Sequence, residues 1–163
     1  MKRKILSTIL LFSFIVGLFC GNTDQNVLAA ESTPYQNYAL QATAISSSNE
    51  TDNLLAKYAI DGDLSTRWSS AFTDHQWLII DLGSIKSVAS LRLYWEAAYA
   101  AQYTISWSED GIHWNPAIIW NTSKAMEETH NFYNRSTRYI KIQCDTRGTQ
   151  YGISLYEVEV MGR

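Results

Sequence analysis

The chain has 163 residues, a net charge of −3 at neutral pH, and 46% hydrophobic residues. This length fits one domain, and the hydrophobic content is enough to build its core. The acidic balance argues against nucleic acid as a partner and suits a neutral or cationic ligand better than a polyanion.

The N-terminal 30 residues have the three-part pattern of a secretory signal peptide. Residues 2–4 are all basic, residues 5–20 are almost entirely apolar, and small residues follow at Ala29 and Ala30. We therefore predict a signal peptide over residues 1–30 and a secreted protein. The apolar run is short for a membrane span, and no second run follows it. Lipidation at Cys20 is an alternative, although bulky residues precede it where small ones are expected.

The remaining chain divides into a short lead-in and one domain. Residues 31–36 are polar and contain Pro34, which predicts a flexible lead-in before a domain over residues 37–163. Cys144 is the one cysteine left after cleavage, so no intramolecular disulfide can form. Its apolar neighbours predict a buried, unreactive thiol.

Beyond residue 37 the patterns are typical of short strands. Residues 37–45 alternate small and apolar side chains, residues 53–60 have the spacing of a short helix, and residues 124–130 are polar with no clear period. Alternating runs predict strands at 76–82, 87–95, 102–108, 114–120, 138–144 and 155–160. Asp110-Gly111 is a hairpin signal between two of these runs. We predict an all-β fold, an antiparallel β-sandwich of jelly-roll type.

The stretch 59–68, AIDGDLSTRW, concentrates oxygen donors in a few residues. Asp61 and Asp63 are separated by Gly62, which permits a tight turn, and Thr66 offers both a hydroxyl and a carbonyl. Hard cations such as calcium take about six to eight oxygens from side chains and backbone. From these residues alone two interpretations stay open: a cation site, or a turn whose Asp side chains accept hydrogen bonds from local backbone N–H groups.

Several stretches, taken in order, resemble a discoidin-type domain of the galactose-binding-like class. They are 37–40, 59–68, 76–77, 81–83, 108–111 with Trp114, 138–139 and 154–160. This fold is shared by coagulation-factor C domains and carbohydrate-binding module family 32. Stretches 95–100 and 147–152 are similar to modules of secreted bacterial glycoside hydrolases, including chitosanases. The resemblance covers residues 37–162.

The resemblance implies a structural calcium ion that joins the early Asp-rich loop to the last strand. The implied ligands are the carbonyls of Tyr58 and Tyr156, the carboxylates of Asp61, Asp63 and Glu157, and both oxygens of Thr66. Such a cation would close a long stretch of chain, and its role would be structural rather than catalytic.

Irregular loops are expected to gather at one end of the sandwich, because successive antiparallel strands alternate in direction. Loops 46–52, 69–75, 96–99 and 145–151 should meet there, where a rigid scaffold commonly carries a binding site. The candidate ligand-binding residues on them are Glu50, Phe72, Asp74, His75, Glu96, Tyr99, Arg147 and Tyr151. Two structural alternatives stay open: Glu96 pairs with Arg147, and Tyr99 belongs to the core.

The side chains on these loops match the chemistry of a sugar. Aromatic rings stack on the C–H faces of sugars, and carboxylates or Arg bond to hydroxyl groups. A carboxylate also pairs with the ammonium of a glucosamine unit. The chain carries Phe72 or Thr73 where the chitosanase-type modules have an acid. The sugar therefore stays open among galactose or N-acetylhexosamine termini, glucosamine polymers and β-glucan.

The sequence contains no catalytic signature. It has no Gly-x-Ser-x-Gly nucleophile motif and no His-Glu-x-x-His zinc motif, and Glu127-Glu128 is expected to face solvent. We predict a monomeric, secreted, non-catalytic module that binds a polysaccharide or other glycan. The alternative is a discoidin domain that binds a protein or a phospholipid membrane. The acidic charge and a single apolar tip candidate, Phe72, favour sugar over lipid.

Overall fold

The structure, a computed structural model, describes residues 34–115, 119–121 and 127–163. This part of the chain contains the strands β1 (Gln36–Asn37), β2 (Thr43–Ser46), β3 (Trp68–Ser69), β4 (Gln76–Trp95), β5 (Ala100–Ser108), β6 (Ile119–Asn121), β7 (Glu127–Arg147) and β8 (Ser154–Gly162). It also contains two single-turn 3-10 helices, Tyr38–Gln41 and Ala56–Ala59. The predicted signal peptide and residues 31–33 of the lead-in lie outside the described residues.

The two longest strands, β4 and β7, pair antiparallel and bend where the register between them breaks. In β4 the break lies between Asp81 and Lys86, and Gly83 has a positive φ of 76° there. β5 pairs with the C-terminal half of β7, whereas β8 pairs with the C-terminal half of β4. The bent strands therefore contribute to two layers, and the predicted strands 76–82 and 87–95 are the two arms of β4.

The hydrophobic core lies between these two layers. Leu78 and Leu91, one from each arm of β4, are fully buried in the same cluster. Tyr103 of β5 spans the gap between the layers: its ring centroid is 5.1 Å from that of Trp95, and its hydroxyl donates to Glu128 of β7. The predicted all-β, antiparallel sandwich is confirmed.

Strand β7 begins inside the polar segment 124–130, which the sequence did not predict as a strand. Glu128 and His130 point between the layers, where Trp95 Nε1 donates to Glu128 at 3.1 Å and His130 Nε2 lies 2.8 Å from the Tyr103 hydroxyl. The expectation that Glu128 faces solvent is therefore wrong. Because polar partners replace apolar packing at these inward positions, no hydrophobic alternation marks the strand. The first three residues of the segment lie outside the described part of the chain.

Most other predicted elements lie within a few residues of their expected ends. The predicted strand 114–120 is represented by the edge strand β6, paired with β5, while residues 116–118 lie outside the described ranges. The lead-in ends one residue early, because Gln36 already pairs with Gly162. Cys144 is a fully buried free thiol, and burial raises its pKa. Among the helices of the described residues, none is long and apolar enough to cross a membrane.

Candidate functional site

The four irregular loops do meet at one end of the sandwich. Backbone hydrogen bonds join two pairs of these loops: Glu50 N to Ser69 O at 2.7 Å and Gly148 N to Tyr99 O at 2.8 Å. The segment after loop 145–151 bonds to the other two, with Ser70 N to Ile153 O at 2.9 Å and Ser154 N to Ala98 O at 2.7 Å. These bonds cross between loops that are far apart in sequence. The predicted convergence is confirmed, and the loops are fixed relative to one another by backbone hydrogen bonds.

A cleft of about 200 Å³ opens between these loops. Its lining residues are Glu50, Arg67, Ser69, Phe72, Glu96, Ala97, Ala98, Tyr151 and Ser154. Phe72 and Tyr151 stand edge to face with ring centroids 6.1 Å apart, and they are 49% and 55% exposed. Each ring therefore keeps a surface available to a ligand. Four of the eight predicted ligand residues line this cleft.

Each of the two carboxylates of the cleft accepts a hydrogen bond from the protein through one of its oxygens. Glu50 Oε2 accepts from the Ser69 hydroxyl at 2.7 Å, and that hydroxyl in turn accepts from Ser154 at 2.8 Å. Glu96 Oε2 accepts from the Ala98 N–H at 2.7 Å. Within the described part of the chain, the other oxygen of each carboxylate makes no hydrogen bond. Both acids are thus positioned and retain a free acceptor.

Arg67 is a cleft residue that the sequence reasoning missed. It follows Thr66 directly, in the stretch 59–68 whose residues left a cation site and a local turn as the two interpretations. In the structure Arg67 lines the cleft beside the two carboxylates, and its Nε is buried without a hydrogen-bond partner among the described residues. The available signal was the position of Arg67 next to Trp68. Because neighbouring side chains on an extended segment point in opposite directions, burial of Trp68 directs Arg67 away from the core.

Arg147 and Asp74 build the wall of the site and do not line the cleft. The Arg147 backbone N and its Nε both donate to Asp74 Oδ1, at 3.1 and 3.0 Å. Arg147 Nη1 donates to the Phe72 carbonyl at 2.8 Å and lies 3.3 Å from that of Tyr151. Hydrogen bonding to Arg147 lowers the pKa of Asp74. Arg147 therefore joins the two loops that carry the aromatic rings, and the alternative in which it pairs with Glu96 is wrong.

His75 and Tyr99 also lie apart from the cleft. His75 has a positive φ of 60°, and its exposed ring lies 4.0 Å from Asp145. The Tyr99 ring is partly buried against the core and covers Gly148, where a Cβ atom would overlap the ring. The alternative in which Tyr99 packs with the core is confirmed.

The predicted metal ligands of the early loop gather around one hydroxyl. Thr66 Oγ1 lies 3.4 Å from the Tyr58 carbonyl, 2.8 Å from Asp61 Oδ2 and 2.9 Å from the Asp63 carbonyl. The Asp63 Oδ1 accepts from the N–H and the hydroxyl of Ser65 at 2.8 and 2.7 Å, and the expectation that this carboxylate is a metal ligand stays a prediction. The carbonyl of Asp63 is the atom that faces the cluster.

Glu157 of β8 completes this cluster from the other side. Its side chain is 2% exposed, Oε2 accepts from the Gly62 N–H at 3.1 Å, and Oε1 is buried without a partner among the described residues. Burial, assisted by the charge of Asp61, raises the pKa of Glu157 to about 7. An orphaned buried carboxylate oxygen beside carbonyl and hydroxyl oxygens fits the ligand set of a hard cation. No three His, Cys, Asp or Glu side chains of the described ranges could hold a metal by themselves, so a cation here needs the backbone carbonyls, including that of Tyr156.

Residues 41–158 match the family profile described as F5/8 type C domain. The chain belongs to this family. The match covers the loop end, the Asp61 loop and most of the sandwich, and it confirms the discoidin-type resemblance of the sequence.

Two solved relatives of this F5/8 type C domain are chitosan-binding modules of a chitosanase/glucanase from Paenibacillus sp. IK-5. Module 1 is 40% identical, with a TM-score of 0.74, over 78% of this chain and 99% of the module. Module 2, solved in complex with chitotriose, is 33% identical, with a TM-score of 0.73, over 78% of this chain and 100% of the module.

A curated relative, Polysaccharide lyase 8 family protein HylA of Enterococcus faecalis, is 35% identical over 88 residues. That match is 52% of this chain but 6% of HylA, so the F5/8 type C domain corresponds to a small part of that protein.

Proposed function

We propose that this F5/8 type C domain is a secreted, non-catalytic carbohydrate-binding module whose loop-end cleft binds a glucosamine-containing polysaccharide. The observation that carries the proposal is the composition of the cleft. Two exposed aromatic rings, Phe72 and Tyr151, stand beside two carboxylates that each keep a free oxygen.

Each group in the cleft has a role in recognising such a sugar. The rings of Phe72 and Tyr151 stack on apolar C–H faces, while Glu50 and Glu96 accept from the ammonium group of glucosamine. Arg67 also lines the cleft, where its guanidinium group is available to donate to a ring or hydroxyl oxygen of the sugar. One sugar unit buries little area, so the affinity of a single site is expected on the order of 0.1–1 mM.

The relatives support this ligand class. Two modules named as chitosan-binding share 33–40% of their residues with this chain over nearly their whole length, and one was solved with chitotriose. Phe72 or Thr73 stands where the chitosanase-type modules have an acid, so the cleft relies on two carboxylates beside its two aromatic rings. This composition predicts that partly acetylated polymers are accepted as well.

A structural calcium ion is the second part of the proposal. The carbonyls of Tyr58 and Tyr156, the carboxylates of Asp61, Asp63 and Glu157, and both oxygens of Thr66 would hold it, with the Asp63 carbonyl beside them. The cation would supply positive charge to the buried Glu157 carboxylate and clip the Asp61 loop to β8. Arg67 follows Thr66 directly, so an ordered Asp61 loop also positions Arg67 in the cleft.

Charge-only substitutions test the cleft by calorimetric titration with a glucosamine trimer and with the neutral N-acetylglucosamine trimer. Glu96→Gln keeps an acceptor for the Ala98 N–H, and Glu50→Gln keeps one for Ser69, so both variants preserve the loops. Each is expected to weaken glucosamine-trimer binding roughly tenfold. Tyr151→Ala should abolish binding of the glucosamine trimer, and Ile112→Ala, an exposed residue outside the cleft, should bind as the parent does.

Two outcomes would overturn the proposal. Unchanged affinity in Glu50→Gln and Glu96→Gln would exclude ammonium recognition by these acids. Binding of the parent to phosphatidylserine vesicles, with no binding to either trimer, would favour the phospholipid alternative. Secretion is tested separately by the mass of the protein from culture medium, which should correspond to a chain starting after residue 30, without a lipid on Cys20.

A further inference from the structure

A second groove lies on the outer face of the other layer, away from the loop-end cleft. Its volume is about 480 Å³, and its polar and aromatic lining residues are Tyr35, Ser90, Arg92, Asn131, Tyr133 and Asn134. Ser90 and Arg92 face outward from β4, whereas Leu91 between them is fully buried. Ser90 precedes Glu96 of the cleft by six positions, which separates the two sites by about 20 Å along the strand.

Tyr133 forms one wall of this groove and projects into solvent. It is 93% exposed, and both Tyr133 and the following Asn134 have positive φ angles, of 54° and 60°. Two successive non-glycine residues in the left-handed region cost conformational energy, and such strain concentrates at functional positions. The register between β4 and β7 also breaks here, between Val88 and Ser90. The backbone thus holds a large aromatic ring in water, where it gains nothing from the core.

The polar atoms of the groove are uncharged or already neutralised. Arg92 Nη1 donates to Glu159 at 2.9 Å, and its Nε lies 3.2 Å from Glu127, so its charge is balanced by neighbouring acids. The side-chain amides of Asn131 and Asn134 make no hydrogen bond within the part of the chain that the structure describes. Each offers both donors and an acceptor. A neutral ligand with an apolar face and several hydroxyl groups fits this lining.

We propose that this groove, the Tyr133 groove, is a second carbohydrate subsite for an uncharged sugar unit such as N-acetylglucosamine. The sugar ring stacks on Tyr133, and the amides of Asn131 and Asn134 bond to its hydroxyl and acetamido groups. The two sites differ in charge preference: the cleft carries carboxylates for a glucosamine unit, and the groove takes a neutral unit. A partly acetylated chitosan chain offers both.

Occupancy of both sites by one polymer raises the apparent affinity without a new contact. Binding at the cleft holds the polymer at a high effective concentration near the groove. Because the groove is shallow and weak, the gain is expected to be roughly two- to tenfold for a long polymer and absent for a trimer. This consequence rests on glycan binding at the cleft, whereas the groove itself can be tested without it.

An NMR titration of the isotopically labelled domain with N-acetylglucosamine trimer tests the groove directly. Saturable shifts of the Asn131 and Asn134 side-chain amides, lost in Tyr133→Ala and kept in Tyr133→Phe, are expected. The same shifts should persist in Tyr151→Ala, which disables the cleft. Absence of saturable shifts at these amides would overturn the proposal, whatever happens at the cleft.

A binding assay on immobilised, partly acetylated chitosan tests the avidity. Tyr133→Ala should weaken polymer binding roughly two- to tenfold and leave binding of the glucosamine trimer unchanged. Ile112→Ala, exposed but outside both sites, should match the parent in both assays. Equal polymer binding by Tyr133→Ala and the parent would overturn the second subsite. If Tyr151→Ala loses all polymer binding while Tyr133→Ala binds as the parent does, the groove is rejected and the cleft proposal stands.

Discussion

The loop-end cleft and the Asp61 loop both collect carboxylates, yet they hold them in opposite states. Glu50 and Glu96 lie at the surface of the cleft, each with one oxygen bonded and one free. Glu157 is almost completely buried, has an orphaned oxygen, and has a pKa raised to about 7. Burial therefore decides the role of each acid: an accessible carboxylate is available to a ligand, and a buried one requires a counter-charge to remain ionised.

Calcium removal should have the largest effect on stability, because it leaves Glu157 without a counter-charge. With calcium at about a hundred times its dissociation constant, binding contributes about 2.7 kcal/mol, which corresponds to a fall in Tm of about 10 °C in EGTA. Differential scanning calorimetry measures this fall. Asp61→Ala should lose the response, and Glu109→Gln, an exposed acid outside the loop, should keep it. Equal Tm values in calcium and EGTA would refute the cation site.

The pH dependence without calcium should be the next largest effect. The pKa of Glu157 is about 7 in the folded protein, against an ordinary value of 4.5. Between these values the folded state binds more protons than the unfolded state, so the free energy of unfolding falls as the pH rises from about 4.5 to 7.

Chemical denaturation in EGTA, compared between the parent and Glu157→Gln, isolates this contribution. The comparison is needed because burial lowers the pKa of His130, which gives a contribution of the opposite sign. The parent should lose stability relative to the variant as the pH rises through this window, and saturating calcium should remove the difference. Parallel pH profiles in EGTA would contradict the buried state of Glu157.

Gly148→Ala should disturb the loop end, whereas Gly83→Ala, on the bend of β4, should not. A Cβ at Gly148 would overlap the Tyr99 ring, so we expect a loss of about 1–3 kcal/mol in stability together with weaker glycan binding. Gly83→Ala is the matched control. Its positive φ costs about 1–2 kcal/mol, but apart from its chain neighbours no atom of the described residues lies within 4 Å of the added Cβ, and binding should not change. Equal binding by the two variants would show that the Tyr99 contact does not support the cleft.

Arg147→Lys should give the smallest effect and separates scaffolding from ligand contact. Lysine cannot bond to Asp74 and the Phe72 carbonyl at once, so affinity for the glucosamine trimer should fall roughly fivefold although Arg147 does not line the cleft. Arg138→Lys removes a similar bidentate pair with Asp81 on the sheet and should leave affinity unchanged. Titration calorimetry distinguishes the two. Unchanged affinity in Arg147→Lys would indicate that the aromatic loops hold their positions without it.

The strands were predictable where the core is apolar. Ile140, Ile142 and Cys144 alternate with polar residues and are buried as expected, because a strand places alternate side chains on opposite faces. The start of β7 was not predictable, since Glu128 and His130 fill inward positions with hydrogen-bonded polar groups. A single-sequence hydrophobic pattern carries no signal for a polar residue whose buried partner lies on another strand.

The candidate site also has predictable and unpredictable parts. The sandwich, the loops that meet at its end and the Asp61 loop were predictable, because they follow from local alternation, turn residues and a family pattern of short motifs. Three features became visible only in the folded domain: Arg147 bonds to Asp74 rather than Glu96, Arg67 lines the cleft, and Tyr133 borders a second groove. Each of these features is a contact between residues that are dozens of positions apart in the chain. Such contacts depend on the packing of the whole domain and leave no local signal in the sequence.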